Sequence, residues 1–225
     1  MIKLVVFDLA GTVLDEQNIV YKTLHRCINE SGIPVSYEKV IEIGAGKEKS
    51  QAVRDILSQY SLDSSLHIQG AIYNFFLQEL SNKYSSLEVK PMLGAEEVFM
   101  KLRTLKIFIA FNTGYNRTTT EQLIAKLNWK KQVHYDLIIT SSEVARSRPA
   151  PDMIWRAMEL LGIQSADKVI KVGDSCTDII EGKNAGCRFS IGITTGAQTH
   201  DELLTSSPDF VIDQLNELLP IIKGV

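Results

Sequence analysis

The chain has 225 residues, 44% hydrophobic and 23% charged, which suits a packed core and excludes wholesale disorder. At roughly 150 residues per domain it holds one large domain, or one domain with an insert. Its 24 Lys and Arg against 27 Asp and Glu leave a net charge of −3, without the basic excess of a general nucleic-acid footprint.

Residues 2–8 (IKLVVFD) form the first strand pattern, a β-branched and aromatic run ending in a carboxylate. Residues 16–90 then hold no convincing strand. They predict amphipathic helices over 18–31, 36–43, 48–60 and 65–83. The breaks fall at Gly32-Ile33-Pro34, Ile43-Gly44-Ala45-Gly46 and Leu62-Asp63-Ser64-Ser65. After Lys90-Pro91 the pattern alternates. Helices are expected over 94–104, 116–128, 152–161, 176–185 and 213–222, with strands over 106–112, 136–140, 168–174, 188–193 and 209–212. Continuous apolar runs suit strands buried on both faces of a parallel sheet. The expectation is an α/β, Rossmann-like, doubly wound sheet. Residues 1–15 and 91–225 would make the core, and 16–90 a helical domain inserted after the first strand.

No apolar run approaches the roughly 20 residues of a membrane span, and Asp8 interrupts the apolar N-terminus, so neither a membrane partner nor a signal peptide is expected. Cys27, Cys176 and Cys187 are odd in number and form no CxxC, which fits a reducing cytoplasm. The four histidines are scattered without zinc-ligand spacing.

In an open parallel sheet, ligands bind beyond the carboxyl ends of the strands. Asp8 ends the first strand here, followed by Leu9-Ala10-Gly11-Thr12. Asn112-Thr113-Gly114 ends the second, Arg146-Ser147-Arg148-Pro149 follows the third, and Gly173-Asp174 ends the fourth, with Asp178 a helical turn later. Singly, each has a bland reading: Asp8 as a turn former, Thr113-Gly114 as a turn, Arg148 as a solvated cation, Asp178 as a helix-start residue. Together they supply three carboxylates, a hydroxyl and a cation. Clustered aspartates repel unless a hard divalent cation such as Mg²⁺ is shared. An ionised Asp can attack phosphorus while Thr113, nearby N–H groups and Arg148 hold the phosphoryl oxygens.

These residues resemble the haloacid dehalogenase superfamily of hydrolases. Asp8-Leu9-Ala10-Gly11-Thr12 is similar to its first motif, Thr113 to the second, Arg148 to the third, and Gly173-Asp174-Ser175-Cys176-Thr177-Asp178 to the fourth. The resemblance implies Asp8 as nucleophile and a Mg²⁺ site of Asp8, the Ala10 carbonyl, Asp174 and Asp178. It implies phosphoryl contacts from Thr12, Thr113, Gly114, Tyr115 and Arg148, and a cap formed by 16–90. Phosphatases of the superfamily carry an aspartate acid–base two residues after the nucleophile. Ala10 stands there. General acid–base help is typically worth about 10²- to 10⁴-fold. The Asp-x-Ala-Gly-Thr form resembles the phosphonatase branch, in which a cap lysine forms an imine with an aldehyde substrate. Gly46-Lys47-Glu48-Lys49 gives that role to Lys49, with Lys47 as second choice. Thr113-Gly114-Tyr115 and Arg148-Pro149-Ala150-Pro151 match the branch. Ala52 replaces its cap histidine, Asn18 its cysteine, and Ala45 lies near its methionine.

The expected partner is therefore a small phosphonate or phosphorylated metabolite, acted on by a monomer or homodimer. A phosphomonoesterase or phosphomutase with a substituted acid stays open, as does a sensor that binds such a metabolite without turnover. A receiver-type switch lacks a helical insert of this size.

Overall fold

The computed structural model describes residues 1–59 and 66–224. The predicted break at 62–65, with the adjoining helix ends at 60 and 65, lies outside them. β1 (Leu4–Phe7) leads through a tight turn to β2 (Leu14–Asp15). Four helices follow: α1 (Ile19–Glu30), α2 (Tyr37–Gly44), α3 (Lys49–Gln59) and α4 (Leu66–Ser86). The chain returns through β3 (Lys90–Pro91) and then alternates. α5 (Ala95–Thr104), β4 (Phe108–Thr113), α6 (Arg117–Lys126), β5 (Leu137–Thr140), α7 (Asp152–Leu160), β6 (Val169–Gly173), α8 (Cys176–Ala185) and β7 (Phe189–Ile193) run in order. α9 (His200–Leu204), β8 (Phe210–Ile212) and α10 (Leu218–Lys223) finish it.

Six strands form one parallel sheet in the order β5-β4-β1-β6-β7-β8. β1 is central, and all four of its residues are buried. Side chains alternate across a strand. Val5 and Phe7 accordingly join one apolar layer, Leu4 and Val6 the other. Each layer is covered by helices, the doubly wound arrangement expected from uninterrupted apolar strands. The first layer centres on Phe99 of α5, whose ring meets Phe7 (5.8 Å between centroids), Phe111 (5.5 Å) and Trp129 (5.3 Å). α5 carries Glu96 and Glu97 in its first turn and Lys101 and Arg103 in its last, matching the helix dipole.

Three local features differ from the sequence expectation. Lys90-Pro91 pairs antiparallel with Leu14-Asp15, a ribbon too short to show any periodicity. α9 starts at a capping box in which Thr199 and Glu202 satisfy each other's backbone N–H groups. The tail expected as one helix over 213–222 opens instead as a 3₁₀ turn (Leu215–Glu217), because Gln214 and Glu217 form another such box ahead of α10. No helix among the described residues is long and apolar enough to cross a membrane.

Phe99→Ala leaves a cavity at the meeting point of three aromatic rings. It is expected to lower stability by about 3–5 kcal/mol, read from the urea midpoint at unchanged slope.

Candidate functional site

The residues singled out at the four strand ends converge beyond the carboxyl edge of the sheet. Asp8 stands one residue past β1, its N–H donating to Val172 O (2.8 Å). The chain then doubles back, since the N–H groups of Val13 and Leu14 both donate to Leu9 O. Gly11 makes this turn feasible. Its φ is +87°, and a Cβ there would lie 2.4 Å from Asp174 Oδ2. A Cβ on Gly196 would come within 2.0 Å of the same oxygen. Asp174 is thus closely wrapped by backbone, and its Oδ2 accepts the Ala197 N–H (2.6 Å).

Arg148 is buried at the centre. Its Nη1 donates to Asp8 Oδ1 (2.6 Å), and its Nη2 to the main-chain and side-chain oxygens of Asn112 (both 2.6 Å). Glu181 Oε2 lies 3.0 Å from Nε, and Asp178 Oδ1 lies 2.9 Å from Nη1. These last two are charge contacts without hydrogen-bond alignment, for Nε and Asp178 Oδ1 have no aligned partner. Lys171, fully buried, adds a second cation 2.8 Å from Asp178 Oδ1 and donates to Asn112 Oδ1 (2.7 Å). Asn112 in turn donates to both Glu181 oxygens. Gly182 lets α8 approach, since a Cβ there would lie 2.8 Å from that of Lys171.

Four buried carboxylates, Asp8, Asp174, Asp178 and Glu181, therefore face two buried cations, Arg148 and Lys171. Burial raises the Asp8 pKa, Arg148 opposes it, and Asp178 reinforces it. Asp174 is pushed well above the carboxylate range by burial, then by Asp8 and Asp178. Asp178 goes the other way, because Arg148 and Lys171 outweigh its burial.

This bears on the predicted metal ligands. Asp178 spends its oxygens on Arg148, Lys171 and the Ser175 hydroxyl, so its geometry is that of an anchor for the cations. Among the described residues, no group of three or more His, Cys, Asp or Glu is disposed to hold a metal. The donors left are the Asp8 and Asp174 carboxylates and the Ala10 carbonyl. That set is all hard oxygen, and the cluster has two negative charges to spare when ionised. Both fit a Mg²⁺ ion that completes its shell with water and ligand.

Asp8, Ala10, Tyr21, Gly46, Lys49, Thr113, Gly114, Tyr115 and Arg148 line a half-open cavity of about 20 Å³. That volume holds one water, not a phosphoryl group. Thr12 is buried off this wall, with its Oγ1 unpartnered. Thr113 Oγ1 accepts the Tyr115 N–H (3.2 Å). The two candidate lysines part company: Lys47 pairs with Asp55 (2.6 Å), while Lys49 lines the cavity. Lys49 Nζ donates to Lys47 O (2.7 Å) and lies over the Tyr21 ring (4.9 Å) and the Tyr115 ring (5.9 Å). Burial pulls its pKa down to about 8, against the attraction of Asp8 and with help from Arg148. Ala52, where the resembled branch has a histidine, is buried facing Gly44.

The insert seats on the core through the loop before α3. Thr177 Oγ1 donates to Ala45 O (2.8 Å), and within the insert the Tyr21 hydroxyl accepts the Gly46 N–H (3.0 Å). Gly46, at φ +72°, has no room for a Cβ, which would sit 2.2 Å from Ser175 Oγ.

Sequence reading missed Asn112 as a side chain, Lys171, Glu181, Tyr21, Tyr84 and Glu16. Lys171 left a signal, a lone cation within the apolar run Val169-Ile170-Lys171-Val172, and Glu181 follows Asp178 on one face of α8. Glu16 and Tyr84 left none, as their pairing joins residues 68 apart.

The model for haloacid dehalogenase-like hydrolases matches residues 5–191. Phosphonoacetaldehyde hydrolase of Latilactobacillus sakei is 29% identical over 223 residues, covering 94% of this chain and 81% of the relative. A phosphonoacetaldehyde hydrolase-like protein from Oleispira antarctica superposes with TM-score 0.84 at 22% identity, over 99% of this chain and 92% of that one. A predicted phosphoglycolate phosphatase from Haemophilus somnus does so with TM-score 0.78 at 18% identity, over 98% of each chain.

Gly46→Ala should lift the loop from the core. The amides of residues 45–47 are expected to exchange hydrogen at least about tenfold faster, equivalent to 1.4 kcal/mol, with circular dichroism unchanged.

Proposed function

The chain belongs to the haloacid dehalogenase-like hydrolases, and from that premise we propose that it is a Mg²⁺-dependent phosphonatase cleaving the carbon–phosphorus bond of a small aldehyde phosphonate. The observation that carries this reading is Lys49: a buried amine on the cavity wall it shares with Asp8, Thr113 and Arg148. At an ordinary pKa about 0.04% of a lysine is free amine at pH 7; at a pKa of about 8 the fraction is about a tenth.

In this reading residues 16–90 act as a cap that opens for substrate and closes to exclude water. Arg148, Thr113 and the Gly114 and Tyr115 backbone orient the phosphoryl oxygens. Asp8, the Ala10 carbonyl and Asp174 would hold Mg²⁺, which when bound neutralises the Asp8–Asp174 repulsion and the phosphoryl charge. Lys49 attacks the substrate carbonyl, and water leaves to give an imine. Asp8 attacks phosphorus, and the carbon–phosphorus electron pair moves into the imine to give an enamine. Water then releases phosphate from Asp8. Protonation and hydrolysis of the enamine free Lys49.

A second reading, hydrolysis of a phosphate ester, draws support from Ala52, whose methyl packs on Gly44 and offers the substrate no imidazole.

The test is a phosphate-release screen across phosphonates and phosphate esters. Asp8→Asn is expected to lower kcat on the order of 10⁴-fold or more on every substrate. Lys49→Ala should abolish aldehyde-phosphonate turnover only, and borohydride with substrate should add mass at Lys49. Loss of the Lys49 proton should make that turnover rise with pH through about 8. A Lys49→Ala variant with undiminished turnover selects the ester reading.

A further inference from the structure

Glu16 stands at the root of the insert, just after β2. It is 2% exposed and makes no ion pair among the described residues. Part of its role is local. Gln17 and Asn18 are both left-handed (φ 60° and 53°), and the Asn18 side chain does not cap α1. Glu16 Oε2 reaches past them to accept the Val20 N–H (3.1 Å). A serine or aspartate at the cap position would do this without burying a distant carboxylate.

What a cap does not explain is the file of hydroxyls ending on the same oxygen. Tyr84 Oη, from α4, donates to Glu16 Oε2 (3.0 Å) and lies 2.9 Å from Tyr115 Oη. Tyr115, from the loop after β4, lines the site cavity beside Lys49. Hinge, insert and core each supply one member, so the file is complete only with the insert seated on the core.

We propose that Tyr115, Tyr84 and Glu16 form a proton conduit leading out of the site cavity, with Glu16 as terminal acceptor, doing from the hinge the acid–base work that a methyl group at position 10 cannot. The proposal rests on the phosphorus-hydrolase reading. A group held against Tyr115 gives its proton to Tyr115 Oη as Tyr115 passes its own to Tyr84 and Tyr84 passes its own to Glu16. One bond to hydrogen breaks at the donor, one O–H bond forms at Glu16, and each phenol loses one and gains one. The reverse sequence returns the proton to a leaving group. Glu16 acts through the tyrosines and is a positioning residue.

The surroundings suit this task. The groups facing Glu16 are Tyr84 from α4, Tyr37 from α2, Tyr115 from the β4 loop and the charge of Lys49 from α3. Burial lifts both phenols of the file, Tyr84 and Tyr115, so they relay protons without ionising near neutrality. Burial also lifts Glu16 to about 7, against the pull of Tyr84, the helix N–H groups and Lys49. Its carboxyl therefore both holds and releases a proton in the working range.

The test compares wild type, Glu16→Gln, Tyr84→Phe and the double variant. Each single variant should lose about 10²-fold in kcat with little change in KM, and the double variant should lose no more than either single one. The pH limb near 7 should vanish in Glu16→Gln. A readout independent of turnover accompanies these. A carboxyl whose pKa is higher folded than unfolded stabilises less as pH rises from about 4.5 to 7. The thermal midpoint of Glu16→Gln should thus gain on wild type across that interval. A Glu16→Gln variant that melts earlier at every pH but keeps kcat and the limb near 7, or a Tyr84→Phe variant with full kcat, overturns the conduit. Full turnover in Asp8→Asn would instead remove the parent reading.

Discussion

The guanidinium of Arg148 organises this molecule. A buried guanidinium has five donors to satisfy and cannot shed its charge. It meets Asp8 after β1, Asn112 in β4 and Asp178 and Glu181 on α8, and it reaches the insert at Gly46 O (3.4 Å). These segments are far apart in sequence, and the cation fixes how their ends stand relative to one another. Lys171 backs it from β6, so that the anions of α8 lie between two positive charges. Removing one member of such a cluster strands the others in a medium that does not tolerate them.

The same arithmetic leaves the site short of positive charge. Among the described residues Asp174 makes no ion pair, its Oδ2 accepts the Ala197 N–H, and backbone wraps it closely. Asp8 is shared between Arg148 on one side and this unpaired neighbour on the other. An imbalance held so rigidly is a standing demand for a cationic ligand and a tolerance for an anionic one next to it. The charge of Lys49, less well paired than Arg148, is easier to remove than that of Arg148.

Much of this was legible in the sequence. The buried strands announced themselves as unbroken apolar runs, and the polar residues ending them fell where a doubly wound sheet gathers ligands. Asp8, Thr113, Arg148 and Asp174 could be picked out because each ends or follows such a run. Choosing between Lys47 and Lys49 needed the structure, since two residues of offset on a helix start turn one amine toward Asp55 and the other into the cavity. Lys171 was readable in principle, for a cation amid β-branched residues calls for a buried partner. Spacing brought Asp178 to the site, and packing then sets it against Arg148 and Lys171, which no spacing announces. Glu16 was beyond reach because its partners, Tyr84 and Tyr115, arrive from a helix and a loop whose placement no local pattern encodes.

The ribbon of β2 and β3 has a mechanical consequence. It offers two residues a side, with the Met92 N–H donating to Val13 O (2.9 Å) just beyond Pro91. Residues 16–90 therefore hang from the sheet on a joint that is narrow in both directions of the chain. On the proposed reading of α1 to α4 as a cap, such a joint resists sliding while yielding to rotation. The inner surface of that cap could be rebuilt for another molecule without disturbing the charged floor beneath.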